Sequence, residues 1–116
     1  MTGNNSSAFY DNSNGLPSKQ AINLMKYYFL TKLPAFKFIR EYYDPHGYWG
    51  AYFSNGEMTI FLGEERSFLD YSVEANGTKF ALSQFDERVT LLERTSKKNL
   101  HFLLDTIKQY LKSMDK

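Results

Sequence analysis

Apolar side chains along this chain change their spacing twice, from a helical period to a strand period and back. Ala21, Leu24, Met25, Tyr28 and Phe29 recur at intervals of three and four, with Ile22 alongside, which is the stripe of a helix lying on a core. Pro17 and Ser18 mark its start, with Ser18 the expected N-cap, and Pro34 ends it at or before Leu33. Residues 36–43 are rich in Phe, Ile and Tyr and read as a strand. Asp44-Pro45-His46-Gly47 then has the composition of a type I turn, and Tyr48–Phe53 is the next strand. Asn55-Gly56 between two apolar runs predicts a hairpin. Met58–Leu62 is nearly all apolar, as in a strand buried on both faces, and Gly63-Glu64-Glu65 is expected to turn the chain. From Arg66 to Ala75 the alternation places Leu69, Tyr71, Val73 and Ala75 inward and Asp70, Ser72 and Glu74 outward. Asn76-Gly77 predicts another hairpin, and residues 78–85 and 87–93 read as two further strands separated by Asp86. Leu100, Leu103, Leu104, Ile107, Leu111 and Met114 close the pattern as one helical stripe capped by Thr95 or Ser96, with Lys108, Lys112 and Lys116 at its C-terminal end.

The expected fold class is therefore α+β. An antiparallel meander of five to six strands is flanked by an N-terminal and a C-terminal helix packed on one face. Residues 1–17, mostly Asn, Ser, Gly and Asp, carry too little apolar surface to offset their ordering entropy and are expected to form a disordered polar tail. Residues 18–116 form a single domain. At 116 residues with 42% hydrophobic side chains, one continuous core is sustainable without metals or crosslinks.

Composition narrows the chemistry. The chain has no cysteine, which excludes disulfides, thiolate metal sites and cysteine nucleophiles. No apolar run approaches the roughly 20 residues of a membrane helix, and the first twenty residues have neither the basic start nor the apolar stretch of a signal peptide. A cytoplasmic location is expected, so the sequons at Asn4, Asn5 and Asn76 are read as chance matches. The net charge is +1, but it is unevenly spread. Residues 1–43 carry five bases against two acids, residues 44–93 nine acids against three bases, and residues 94–116 six bases against two acids. Two accounts of this division stand: lysines on solvated helix faces, or an acidic sheet surface offered to a basic partner.

Phosphate-cradling, dinucleotide-binding, zinc-protease, nucleophile-elbow and calcium-loop motifs are all missing. No catalytic residue, cofactor site or metal site is assigned. The two histidines, His46 in a predicted turn and His101 beside the core stripe of the last helix, are expected to be surface residues rather than an acid–base pair. Glu64, Glu65, Asp70 and Glu74 are expected to form an acidic sheet surface rather than a hydrolytic carboxylate pair, because nothing in the pattern predicts a cleft. Tyr42, Tyr43, Tyr48, Trp49, Tyr52 and Phe53 crowd one hairpin. One inward face cannot hold them all, so some of Tyr43, Tyr48, Trp49 and Tyr52 should be partly exposed. Tyr and Trp anchor protein interfaces by burying large area at low entropy cost.

A cysteine-free domain with a strand-rich centre (GYWGAYFSNGEMTIFL) and a terminal Leu/Lys helix (NLHFLLDTIKQYLKSM) resembles the small immunity proteins of bacterial polymorphic-toxin and contact-dependent growth inhibition systems. The resemblance covers residues 18 to 116. It implies a cytoplasmic protein that occludes a toxin domain, often a nuclease and so basic, and has no catalysis of its own; a monomer or weak homodimer is expected. Glu64, Glu65, Asp70 and Glu74, with Tyr48, Trp49 and Tyr52 as anchors, are the expected partner-binding residues. A secretion chaperone or adaptor, a small nucleic-acid-binding domain and a small histidine enzyme remain as alternatives.

Overall fold

The computed structural model describes residues 8–114. It contains a five-stranded antiparallel sheet with an N-terminal and a C-terminal helix on one face. Helix α1 spans Ser18–Lys32 and buries Ala21, Ile22, Met25, Tyr28 and Phe29. Strands β1 (Lys37–Asp44), β2 (Tyr48–Ser54), β3 (Met58–Glu65), β4 (Phe68–Ala75) and the two-residue β5 (Thr78–Lys79) follow, each paired with the next. Short helix α2 (Leu82–Phe85) and a 3-10 turn (Glu87–Leu91) lead to α3 (Lys97–Met114). The expected α+β class and the one-sided helical layer are as observed.

Local chemistry accounts for most boundaries. Gly47 donates its N–H to the Asp44 carbonyl at 3.1 Å, closing the Asp-Pro-His-Gly turn. In the next hairpin the Asn55 side chain accepts from the N–H groups of Glu57 and Met58. Ser96 caps α3, its Oγ accepting from the Asn99 N–H at 3.2 Å. Between the layers, Phe29 of α1 stacks on Phe53 of β2 with ring centroids 4.1 Å apart. Ile60, Leu62 and Val73 from the sheet meet Leu100, Leu103, Leu104 and Ile107 from α3 in the same buried cluster.

Several expectations need correction. Pro17, not Ser18, precedes α1, and no side chain caps that end. Gly63-Glu64-Glu65 is no turn: β3 runs through Glu65, and the chain reverses at Arg66 and Ser67, both with positive φ (52° and 75°). Two residues in that conformation suit the twist of a two-residue hairpin, even without glycine. The strands expected over 78–85 and 87–93 shrink to β5, α2 and the 3-10 turn. Asp86 is responsible for the last of these, accepting the Arg88 N–H at 3.1 Å and holding its guanidinium. Nor is β3 buried on both faces, since Thr59 and Phe61 on its outer side are only half-buried.

The expected polar tail divides. Residues 1–7, with the Asn4 and Asn5 sequons, lie outside the described residues, as does Lys116. Residues 8–16 are seated on the domain. Phe9 packs on Phe102 of α3 at 4.7 Å, and Leu16 donates to the Thr95 carbonyl at 2.9 Å. Asn99, fully buried, is the hub. Its Oδ1 accepts from the Asp11 N–H, and its Nδ2 donates to Asn12 Oδ1 and to the Arg94 carbonyl, each at 2.8 Å. Ser96 Oγ donates to the Asp11 carbonyl, and Asn12 Oδ1 also accepts the Glu93 N–H. The segment is thus held by polar recognition of its backbone, which an inventory of apolar residues does not register. Replacing Asn99 with alanine strands several of these groups and should cost about 2 kcal/mol, to be read as a lowered denaturation midpoint with an altered slope if residues 8–16 detach.

Candidate functional site

Register sorts every strand residue onto one of two faces. Trp49↔Glu64, Ala51↔Leu62 and Phe53↔Ile60 pair across β2 and β3 on the helix-covered side. Tyr48↔Glu65, Gly50↔Gly63 and Tyr52↔Phe61 pair on the other. Across β3 and β4 that second side continues as Glu65↔Phe68, Gly63↔Asp70, Phe61↔Ser72 and Thr59↔Glu74. No described helix contributes to it, so this outer face is the surface on which most of the sequence-predicted residues converge.

Of those residues, Tyr48, Tyr52, Glu65, Asp70 and Glu74 are on the outer face. Trp49 and Glu64 are not. Trp49 is 8% exposed and belongs to the core, and Glu64 Oε1 accepts from Thr95 Oγ1 at 2.6 Å, below the sheet. Both are structural: the first fills the core, and the second ties β3 to the segment before α3. Of the four aromatics expected to share the exposure, Tyr43 is exposed and Tyr48 and Tyr52 are half-buried.

The outer face has a centre that the sequence reading missed. Gly50 and Gly63 are directly opposed, and the Phe61 ring lies across them. A Cβ on Gly63 would meet the Trp49 carbonyl oxygen head-on and come within 2.7 Å of the Gly50 Cα. A Cβ on Gly50 would run into the Phe61 ring. Tyr52 packs on Phe61 at 5.0 Å, Tyr42 stacks on it at 6.3 Å, and the Arg40 guanidinium covers the Tyr52 ring at 4.2 Å. The result is a shallow aromatic platform laid over bare backbone. Burial raises the Tyr42 phenol above its usual pKa, with Tyr52 and the Asp70 carboxylate adding to the effect. Glycines inside strand patterns were the available signal, since they mark close approach of another group.

Around this platform acids and bases are interspersed, Asp44, Glu65, Asp70 and Glu74 sharing the face with Arg40 and Lys79. Glu65, Asp70 and Glu74 take part in no ion pair among the described residues. Arg66 is turned toward Tyr48, its Nε donating to the phenol oxygen at 3.0 Å. Lys79 stands opposite Glu74 at the β5 edge.

The histidines are on different elements. His46 is exposed in the β1–β2 turn, its Nδ1 3.0 Å from Asp44 Oδ1. His101 lines a groove of about 450 Å³ between α1 and α3, with Leu24, Tyr27, Tyr28 and Asp105. Among the described residues no group of three His, Asp or Glu side chains is placed to hold a metal ion, and no helix is long and apolar enough to cross a membrane. In the groove the Tyr28 hydroxyl donates to Asp105 Oδ1 at 2.5 Å, and burial together with that carboxylate holds the phenol far above its usual pKa.

Comparison with protein-family models, with curated proteins and with solved structures finds no match for this chain.

Two outcomes follow from these contacts. Gly63→Ala forces backbone apart at the centre of the sheet and should destabilise the fold by about 2–3 kcal/mol in chemical denaturation. Tyr28 has its folded-state pKa above the ordinary value of 10, so its contribution is complete below pH 10 and is lost as pH rises from there toward the folded value. A stability profile taken above pH 10 should fall less steeply for Tyr28→Phe than for the native chain.

Proposed function

We propose that this chain is a protein-binding module that neutralises a basic toxin domain, seating it on the outer face of the sheet. The observation that carries the reading is the aromatic platform of Tyr42, Tyr52 and Phe61, open on a sheet whose other face is covered, beside the unpaired carboxylates of Glu65, Asp70 and Glu74. Rigid aromatic area supplies desolvation at small entropy cost. Carboxylates not engaged within the chain are available to cations on a partner, and they steer its approach. A nuclease domain is basic where it holds nucleic acid, so such a face can occupy that site in place of phosphate. This reading keeps the cytoplasmic location and the non-catalytic role that the resemblance to immunity proteins implies. It replaces Trp49 and Glu64 with Tyr42 and Phe61, so that the binding residues are Tyr42, Tyr48, Tyr52, Phe61, Glu65, Asp70 and Glu74. Stacking aromatics on an open sheet also occur in readers of single-stranded nucleic acid, but those combine them with a basic groove, and the carboxylates here oppose phosphate.

The test is capture of partners from the native host at low and moderate salt, followed by expression of the captured protein alone and together with this chain. A basic protein that is toxic alone and harmless in the presence of this chain supports the reading. Asp70→Lys combined with Glu74→Lys should then slow association at least about tenfold, with the deficit shrinking as salt rises. Glu64→Gln on the covered face should leave association unchanged. Unaltered binding by the double reversal, or recovery of RNA alone, would sink the proposal.

A further inference from the structure

The two edges of the sheet are not alike. β5 at one end is two residues long and passes into α2. β1 at the other end is eight residues long, mostly exposed, and among the described residues no strand pairs with its free side. A long open strand presents a row of unsatisfied N–H and C=O groups, a template for another strand. Apolar surface continues from that edge. Leu30 of α1 is 71% exposed and Ile39 54%, and Phe38 shares a shallow groove with Leu30 beside the strand. The edge thus offers both backbone to pair and apolar area to cover.

We infer that β1 pairs with β1 of a second copy of this chain, antiparallel, about a two-fold axis at Tyr42. The charges select both the occupant and the register. A two-fold axis perpendicular to the sheet keeps each face with its own kind, so one residue must meet its own copy at the axis. The bulge between Phe38 and Arg40 confines regular pairing to residues 40–44. An axis at Arg40 or at Glu41 sets that charge against itself, which is unfavourable. Centring on Tyr43 brings Pro45, which has no N–H to donate, opposite Glu41. At Tyr42 the conflicts vanish: Arg40 faces the partner's Asp44, twice by symmetry, and Glu41 faces the partner's Tyr43. Within one chain the Tyr43 hydroxyl already donates to Glu41 Oε2 at 2.9 Å, so the same donor and acceptor meet again across the axis. The product is a ten-stranded sheet with both outer faces on the same side, the two aromatic platforms adjoining at the paired Tyr42 residues.

Five paired residues per strand make an interface of less than standard area, so the dimer should be weak, with a dissociation constant on the order of 100 µM. Sedimentation equilibrium of the full chain should show this association. Arg40→Glu and Asp44→Lys each place like charges opposite one another, and each should weaken it at least about tenfold. An equimolar mixture of the two variants restores opposite charges at both positions and should dimerise again, which a merely misfolded variant could not do. Because the chain has no cysteine, Tyr42→Cys offers a second readout. Residues facing each other across an antiparallel pair have Cα atoms about 4.5–5.5 Å apart, within disulfide reach. Mild oxidation should therefore crosslink Tyr42→Cys rapidly and Ser72→Cys, on the outer face of β4, slowly. A native chain that stays monomeric through this concentration range would overturn the inference. So would a dimer indifferent to either reversal, or a mixture that fails to recover.

Discussion

The stack of Phe29 on Phe53 joins the two layers of this molecule, and the limit it represents governs the rest. α1 and α3 supply enough apolar helix to cover one face of a five-stranded sheet. The buried apolar side chains of the strands, including Trp49, Ile60, Leu62 and Val73, are drawn to that side. Among the described residues no helix lies over the opposite face.

The exposed face is sealed by its own side chains. Phe61 lies down across Gly50 and Gly63 instead of standing up from the sheet, and Tyr42 and Tyr52 close around it. Removing two Cβ atoms weakens a strand locally, but here it lets one ring shield the backbone hydrogen bonds beneath. The same arrangement that protects the sheet leaves a flat aromatic surface bordered by charges of both signs. The shielding of the backbone and the open aromatic area on this side have one origin.

Period and punctuation made much of this legible. The stripes of α1 and α3, the Asp-Pro-His-Gly turn and the Asn-Gly hairpins follow from side-chain spacing and from residues with special backbone preferences. The alternation after Arg66 correctly separates Leu69, Tyr71 and Val73 from Asp70 and Glu74, which puts part of the candidate site on the page before any fold is known. What was hidden depends on contacts between distant residues. Gly63 reads as a turn because glycine usually serves turns, whereas its role is to let the β2 backbone at Trp49 and Gly50 come close. Arg66 and Ser67 make a left-handed turn with no compositional mark. Trp49 and Glu64 look like surface anchors until the register places them beneath the sheet. Asp11 and Asn12 look like tail residues, since nothing local announces that a buried amide more than eighty residues away will bind them.

That last contact has a consequence for how the protein is made. The meander is assembled from hairpins whose partners are close in sequence, and such contacts form early and fast. The seat of residues 8–16 is built from residues 88–102, late in the chain. On the ribosome, the earlier segment emerges while its receptor is still untranslated, and it must wait exposed until α3 has left the exit tunnel. Closure of Asn99 over Asp11 and Asn12 is then a latch thrown after synthesis of the domain, and the chain reaches its final form only at that late step.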